Sequence, residues 1–176
     1  MKKITVIFLS FFSFLATAAV SVSIGQFYQN ERNNFFADQP KIGMQFSGFY
    51  SWDKYQLGIE YFQMTKNSSG NATLSSDFEN KGLLLSGKLI SGNQKILRPF
   101  LSAGFGFEQL VTQSFIYSDV SNDISKAYLL AFAGGGLQLQ FFDEIHLSTE
   151  ARLNFGEIRN PNPAWSILLH LGVDFN

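Results

Sequence analysis

From Ile42 onward the apolar residues of this chain recur with a period of two, the spacing of a strand whose successive side chains point to opposite faces. Along 41–52, Ile42, Met44, Phe46, Tyr50 and Trp52 share one face and Gly43, Gln45, Ser47 and Ser51 the other, with Phe49 out of step. Tyr55, Leu57, Ile59 and Tyr61 then alternate with Gln56, Gly58 and Glu60, and only Asp53 and Lys54 separate the two runs, which predicts a tight hairpin. The pattern is clearest near the C-terminus. There Ile145, Leu147, Thr149, Ala151, Leu153 and Phe155 oppose His146, Ser148, Glu150, Arg152 and Asn154, and a last alternating run reaches Phe175.

Continued along the chain, the alternation predicts strands at 20–28, 41–52, 55–65, 81–91, 98–111, 127–141, 145–155 and 164–175. Each is close to the roughly 9–11 residues that a tilted strand needs to cross a bilayer. The connections 29–40, 66–80, 112–126 and 156–163 are long or polar, whereas 53–54, 92–97 and 142–144 are short. Long loops on one rim and tight turns on the other are the signature of an outer-membrane barrel, with both chain ends on the turn side and an even strand count. The predicted fold is therefore all-β, an eight-stranded antiparallel transmembrane up-and-down β-barrel.

Alternation alone does not choose between lipid and water as the outer solvent, because a soluble barrel alternates too. Composition decides it. Aromatics are 16% of the 176 residues, with 20 Phe, against 15% charged, more ring surface than a water-facing exterior carries. The polar face is mostly Gly and Ser with few charges. Aromatics gather near predicted strand ends, at Tyr28, Tyr50, Trp52, Tyr55, Tyr128, Phe141, Phe142, Phe155, Trp165 and Phe175, as interfacial girdles do. Lys2 and Lys3, the apolar run Ile4–Leu15 and Ala16-Thr17-Ala18 read as a signal peptide over 1–19, cleaved after Ala18 or Ala19, leaving 20–176 as the barrel domain. No later stretch offers an uninterrupted apolar helix of about 20 residues. The formal charge of −1, with no cluster of Lys and Arg, argues against nucleic acid, and the absence of Cys excludes disulfides, thiolate metal sites and a lipidated N-terminal Cys.

Arg98-Pro99-Phe100-Leu101-Ser102-Ala103-Gly104-Phe105-Gly106-Phe107, then Ala133-Gly134-Gly135-Gly136-Leu137, and Phe141-Phe142-Asp143-Glu144-Ile145 leading into Glu150-Ala151-Arg152-Leu153, resemble the OmpA/OmpX-type and opacity-type small outer-membrane β-barrel families. The resemblance implies residence in the bacterial outer membrane among its lipids, and delivery by periplasmic chaperones to the barrel-insertion machinery. It also implies that Phe175, here penultimate, serves as the C-terminal assembly signal.

An eight-stranded barrel is just wide enough for side chains to fill, so inward polar residues should pair with one another. The inward set is Glu60, Lys88, Glu108, Glu150, Arg152, His170 and Asp174. Centring the last loop near residue 160 places Glu150 opposite His170 and His146 opposite Asp174, and brings Glu60 close to Lys88. Unpaired, a buried charge costs several kcal/mol, which favours a structural network over an ion path. His146 and Ser148 share a face and raise the alternative of a lipid-modifying hydrolase, but they begin their strand at the turn rim, and spacing supplies no triad geometry. The glycine runs lie within strands with no helix after them, so they cradle no phosphate, and no cofactor is expected. Asp119 and Asp123 fit no standard calcium loop.

The expected function is a non-enzymatic surface protein presenting 29–40, 66–80, 112–126 and 156–163 to an extracellular ligand, for surface interaction, adhesion or envelope integrity. A narrow channel for small solutes or ions is the alternative, and a soluble periplasmic binding barrel is a further one.

Overall fold

In a computed structural model, residues 19–30, 41–68, 74–91, 96–116, 119–156 and 163–175 are described. They form eight strands: β1 (Ala19–Asn30), β2 (Lys41–Trp52), β3 (Tyr55–Ser68), β4 (Leu74–Ile90), β5 (Leu97–Ile116), β6 (Asp119–Gln140), β7 (Ile145–Gly156) and β8 (Ala164–Phe175). Each strand pairs antiparallel with its neighbours in sequence, and β1 pairs with β8, so the sheet closes as a barrel in simple up-and-down order. This is the predicted fold. Closure satisfies the ladder hydrogen bonds on both sides of every strand, a condition for crossing hydrocarbon. Residues 1–18, which carry the expected signal peptide, lie outside the described residues, and Ala19 already begins β1.

The period-two faces resolve into an outside and an inside. Ile59, Leu83, Leu101, Phe105, Ile167 and Leu169 are each more than half exposed on the outer face. Their neighbours in sequence, Glu60, Leu84, Ser102, Ser166 and Leu168, are buried within. An apolar exterior around a partly polar interior is the reverse of a water-soluble protein, so the barrel spans a bilayer. Tyr50 and Trp52, with ring centroids 5.9 Å apart, and Trp52 and Tyr55, 6.2 Å apart, crowd the β2–β3 turn as an interfacial cluster. Asp53 makes that turn possible with a φ of 51°, a left-handed conformation that Asp tolerates. Tyr128 departs from the expected girdle. It falls on the inward parity of β6, paired with Glu108.

Bulky inward side chains fit because an inward glycine stands opposite each of them. Phe49 pairs with Gly58, Phe62 with Gly82, Phe132 with Gly104, Phe100 with Gly136 and His170 with Gly25. In every case a Cβ added to the glycine would collide with that ring. The out-of-step Phe49 is thus an inward residue with its own berth. The bore is also less polar than its sequence suggests. Phe27, Phe62, Met64, Leu84, Leu130, Phe132 and Leu168 form a buried apolar layer, within which Phe27 and Phe62 stack at 5.9 Å.

Strand lengths differ from expectation on one side. Segments 66–80 and 112–126, read as loops, are largely strand: β3 and β4 pair out to Ser68↔Ser76, β4 and β5 to Leu74↔Ile116, and β5 and β6 to Ile116↔Asp119. Four neighbouring strands prolong one another's three ladders there, and backbone pairing outweighs the loop-like Asn, Ser and Asp composition. A β-bulge between Gln109 and Val111 marks the base of the β5–β6 extension. Of the other two expected loops, 31–40 and 157–162 lie outside the described residues.

Candidate functional site

The centre of the bore is built around Arg152 on β7. Its Nη1 and Nη2 donate to Glu60 Oε2 and Oε1 at 2.6 and 3.1 Å, while Nε and Nη2 donate to Glu150 Oε1 and Oε2 at 2.5 and 2.9 Å. Glu60 lies on β3, four strands from β7 in a ring of eight, so the guanidinium is a strut across the full width of the barrel. Ser102 Oγ donates to Glu150 Oε1 at 2.5 Å, and Gln45 Nε2 donates to Glu60. The guanidinium carbon rests 4.0 Å from the centroid of Phe132, which seals the strut against the apolar layer. Lys88 on β4 places its Nζ 4.2 Å from the Phe49 ring centroid and 5.2 Å from that of Phe100. With Lys88, the centre holds two cations and two carboxylates and is formally neutral.

The structure thus brings together Glu60, Glu150 and Arg152, with Lys88 beside them but joined to Glu60 by no ion pair among the described residues. Lys88 pairs in register with Gln56, and Glu60 with Leu84. His170 stands opposite Ser148 rather than Glu150, which faces Leu168. The β7–β8 connection centres one residue earlier than expected, which shifts each partner by two and keeps every side chain on its face. His170 Nε2 is buried without a hydrogen-bond partner among the described residues.

Asp174 belongs to a separate cluster at the turn rim. Its Oδ2 lies 3.2 Å from His146 Nδ1 and accepts from Gln140 Nε2 at 3.2 Å, while Gln140 also donates to the carbonyls of Phe142 and Asp143. Glu108 is fully buried nearer the opposite rim, outside both groups. Phe175 is exposed on the outer face, paired with Val20. Sequence reading missed Gln45 and Ser102. Both sit on the inward parity, but their partners depend on distances across the bore.

Two geometric facts bear on function. The bore is crossed by a hydrogen-bonded strut and filled next to it by apolar side chains. Ser148 and His146, the residues that suggested a hydrolase, are both buried inside, with the sheet wall between them and any lipid. The other fact is the uneven rim. At about 3.3 Å per residue and a tilt near 40°, a twelve-residue strand rises about 30 Å, the thickness of the hydrocarbon core. The same arithmetic carries the 22 residues of β6 about 25 Å further.

No family model and no curated protein matches the sequence. Solved structures do match the fold. Neisserial surface protein A aligns with a TM-score of 0.63 at 13% identity, over 90% of this chain and 96% of that one. Ail, the attachment invasion locus protein of Yersinia pestis, solved with the heparin analogue sucrose octasulfate, aligns at 0.61 and 12%, over 90% and 97%. A de novo designed transmembrane β-barrel aligns at 0.50 and 11%, over 89% and 94%. A fold shared between natural surface proteins and a designed barrel identifies architecture and leaves activity to be argued from the molecule. Closed eight-strand topology, lipid-facing exterior and these likenesses together show that the chain has the fold of the small bacterial outer-membrane β-barrels and resides in that membrane.

Proposed function

We propose that this protein is a non-enzymatic surface barrel, closed at its bore, that works through the rim on which β3 to β6 continue past the membrane. The observation that carries this reading is the contrast between a blocked interior and a raised edge of 14 to 22-residue strands. The raised rim faces outward and the rim of short turns faces the periplasm, the usual arrangement of such barrels. Residues 1–19 act as the signal peptide, cleaved after Ala18 or Ala19, and Phe175 is the element read by the insertion machinery.

The segments 29–40, 66–80, 112–126 and 156–163 contain seven Asp and Glu against four Lys and Arg. A polyanion such as the sulfated ligand bound to Ail is therefore a poor match, and a partner recognised through Asn, Ser and backbone groups is the better one. Cells displaying the full chain should adhere to an epithelial monolayer, and deletion of 111–124 should abolish the gain while the barrel still shows heat-modifiable migration on gels. Equal adhesion by the deletion variant would remove the raised rim from the function. Reproducible single-channel steps from purified protein in planar bilayers would restore the narrow-channel reading.

A further inference from the structure

The outer face of β3, β4 and β5 changes chemistry along one register line. Tyr61, Leu83 and Phe107 are in register on these adjacent strands and all three are exposed. Two residues nearer the raised rim, on the same outer face, the line is Gln63, Lys81 and Gln109. Adjacent strands are about 4.8 Å apart, so the three polar side chains start within reach of one small group. The Tyr61 phenol donates to Gln63 Oε1 at 3.4 Å. Lys81 makes no ion pair among the described residues. Elsewhere along the same rim exposed outer side chains near the last described positions are mostly apolar, with Tyr28, Ile42, Phe155 and Trp165, and Gln26 on β1 is a lone exposed amide with no cation beside it among the described residues.

We propose that Gln63, Lys81 and Gln109 bind the phosphate of a lipid headgroup in the leaflet at the raised rim. An ammonium on the lipid-facing side of a transmembrane strand is tolerated only at headgroup depth, where an anionic partner is at hand. Its charge answers phosphate as a compact donor, and amides on either side offer further N–H groups. Tyr61 and Phe107, directly beneath, meet the apolar portion of the same lipid. A soluble anion would gain little from one lysine and two amides in water, whereas a lipid is held against them by the belt below.

The proposal rests on the membrane-spanning reading but not on which rim faces outward. The test is therefore made on purified, folded full-length protein in zwitterionic micelles, titrated with bisphosphorylated lipid A and read by native mass spectrometry. Lys81→Gln should bind about fivefold more weakly, Lys81→Arg should bind as the unmodified protein does, and Lys54→Gln at the far rim should change nothing. Dephosphorylated lipid A should bind the unmodified protein no better than Lys81→Gln binds the phosphorylated form, and excess inorganic phosphate should fail to displace the lipid. Undiminished binding by Lys81→Gln, or equal binding of the dephosphorylated lipid, would overturn the site; displacement by inorganic phosphate would make it a soluble-anion site instead. Should Lys81→Gln not fold, the double variant Gln63→Ala/Gln109→Ala carries the test, with weaker binding expected and unchanged binding overturning the proposal. Surface proteolysis of intact cells reports the outward rim separately.

Discussion

Strands β7, β8, β1 and β2 have twelve residues each, while β3, β4, β5 and β6 have 14, 17, 20 and 22. Both halves of the barrel cross the same bilayer, so twelve residues are what the membrane demands and the excess is available for work in water. The outer face records the difference. On the short half apolar side chains such as Trp165, Tyr28 and Ile42 are exposed close to the last described positions, with Gln26 the polar exception, whereas on the long half the outer face gives way at Gln63, Lys81 and Gln109 with strand still to follow. The halves are bound across the bore by Arg152 on β7 and Glu60 on β3.

Cutting that tie should have the largest effect on the comparison. Arg152→Ala strands two buried carboxylates and should destabilise the folded barrel by about 3–5 kcal/mol, measured by urea unfolding in micelles, with Glu60→Gln/Glu150→Gln in the same background recovering much of the loss. A lysine scan of the outer face comes next. Ile167→Lys on the short half and Leu85→Lys on the long half should each cost about 2–4 kcal/mol, while Gln63→Lys should cost only about 0–1. Equal penalties at Gln63 and Leu85 would mean that the long strands leave the bilayer higher than their surface chemistry indicates. Gly82→Val should cost about 1–3 kcal/mol by displacing Phe62, and Phe62→Leu should relieve part of it. Excision of 111–124 should be the mildest, leaving the unfolding free energy within about 0.5 kcal/mol of that of the intact protein, because those residues extend past the membrane.

Parity was the most legible feature of the sequence. A period of two assigns Glu60, Glu150, Arg152 and His170 to one face whatever the exact register, and a misplaced loop centre changed the partner of His170 from Glu150 to Ser148 without turning either residue outward. The Asp53-Lys54 turn was equally plain, being the only interruption between two clean alternations. The reach of β4, β5 and β6 was not legible, because Ser75, Asp77, Ser114 and Asn122 look like loop residues one at a time and become strand through ladders supplied by their neighbours. The Arg152–Glu60 strut was hidden for a different reason. Pairing arithmetic reports neighbours around the wall, and this contact joins strands that never touch along it.

The glycine berths of the bore bear on how such a barrel diverges. A ring and the glycine facing it form one unit of volume shared by two strands, so a change at either position is eased, though the neighbouring backbone must also shift, when its partner changes in the opposite sense. Phe62→Gly with Gly82→Phe would move a ring from one strand to the next, with β4 and β5 shifting locally where a Cβ at position 82 meets the Phe107 carbonyl. Selection acting on pairs in this way erases identity at single positions while preserving architecture, in keeping with a fold shared at 11–13% identity with barrels as different as a surface protein and a design. Relatives of this chain should therefore be sought through covarying large and small residues on neighbouring strands rather than through conserved letters.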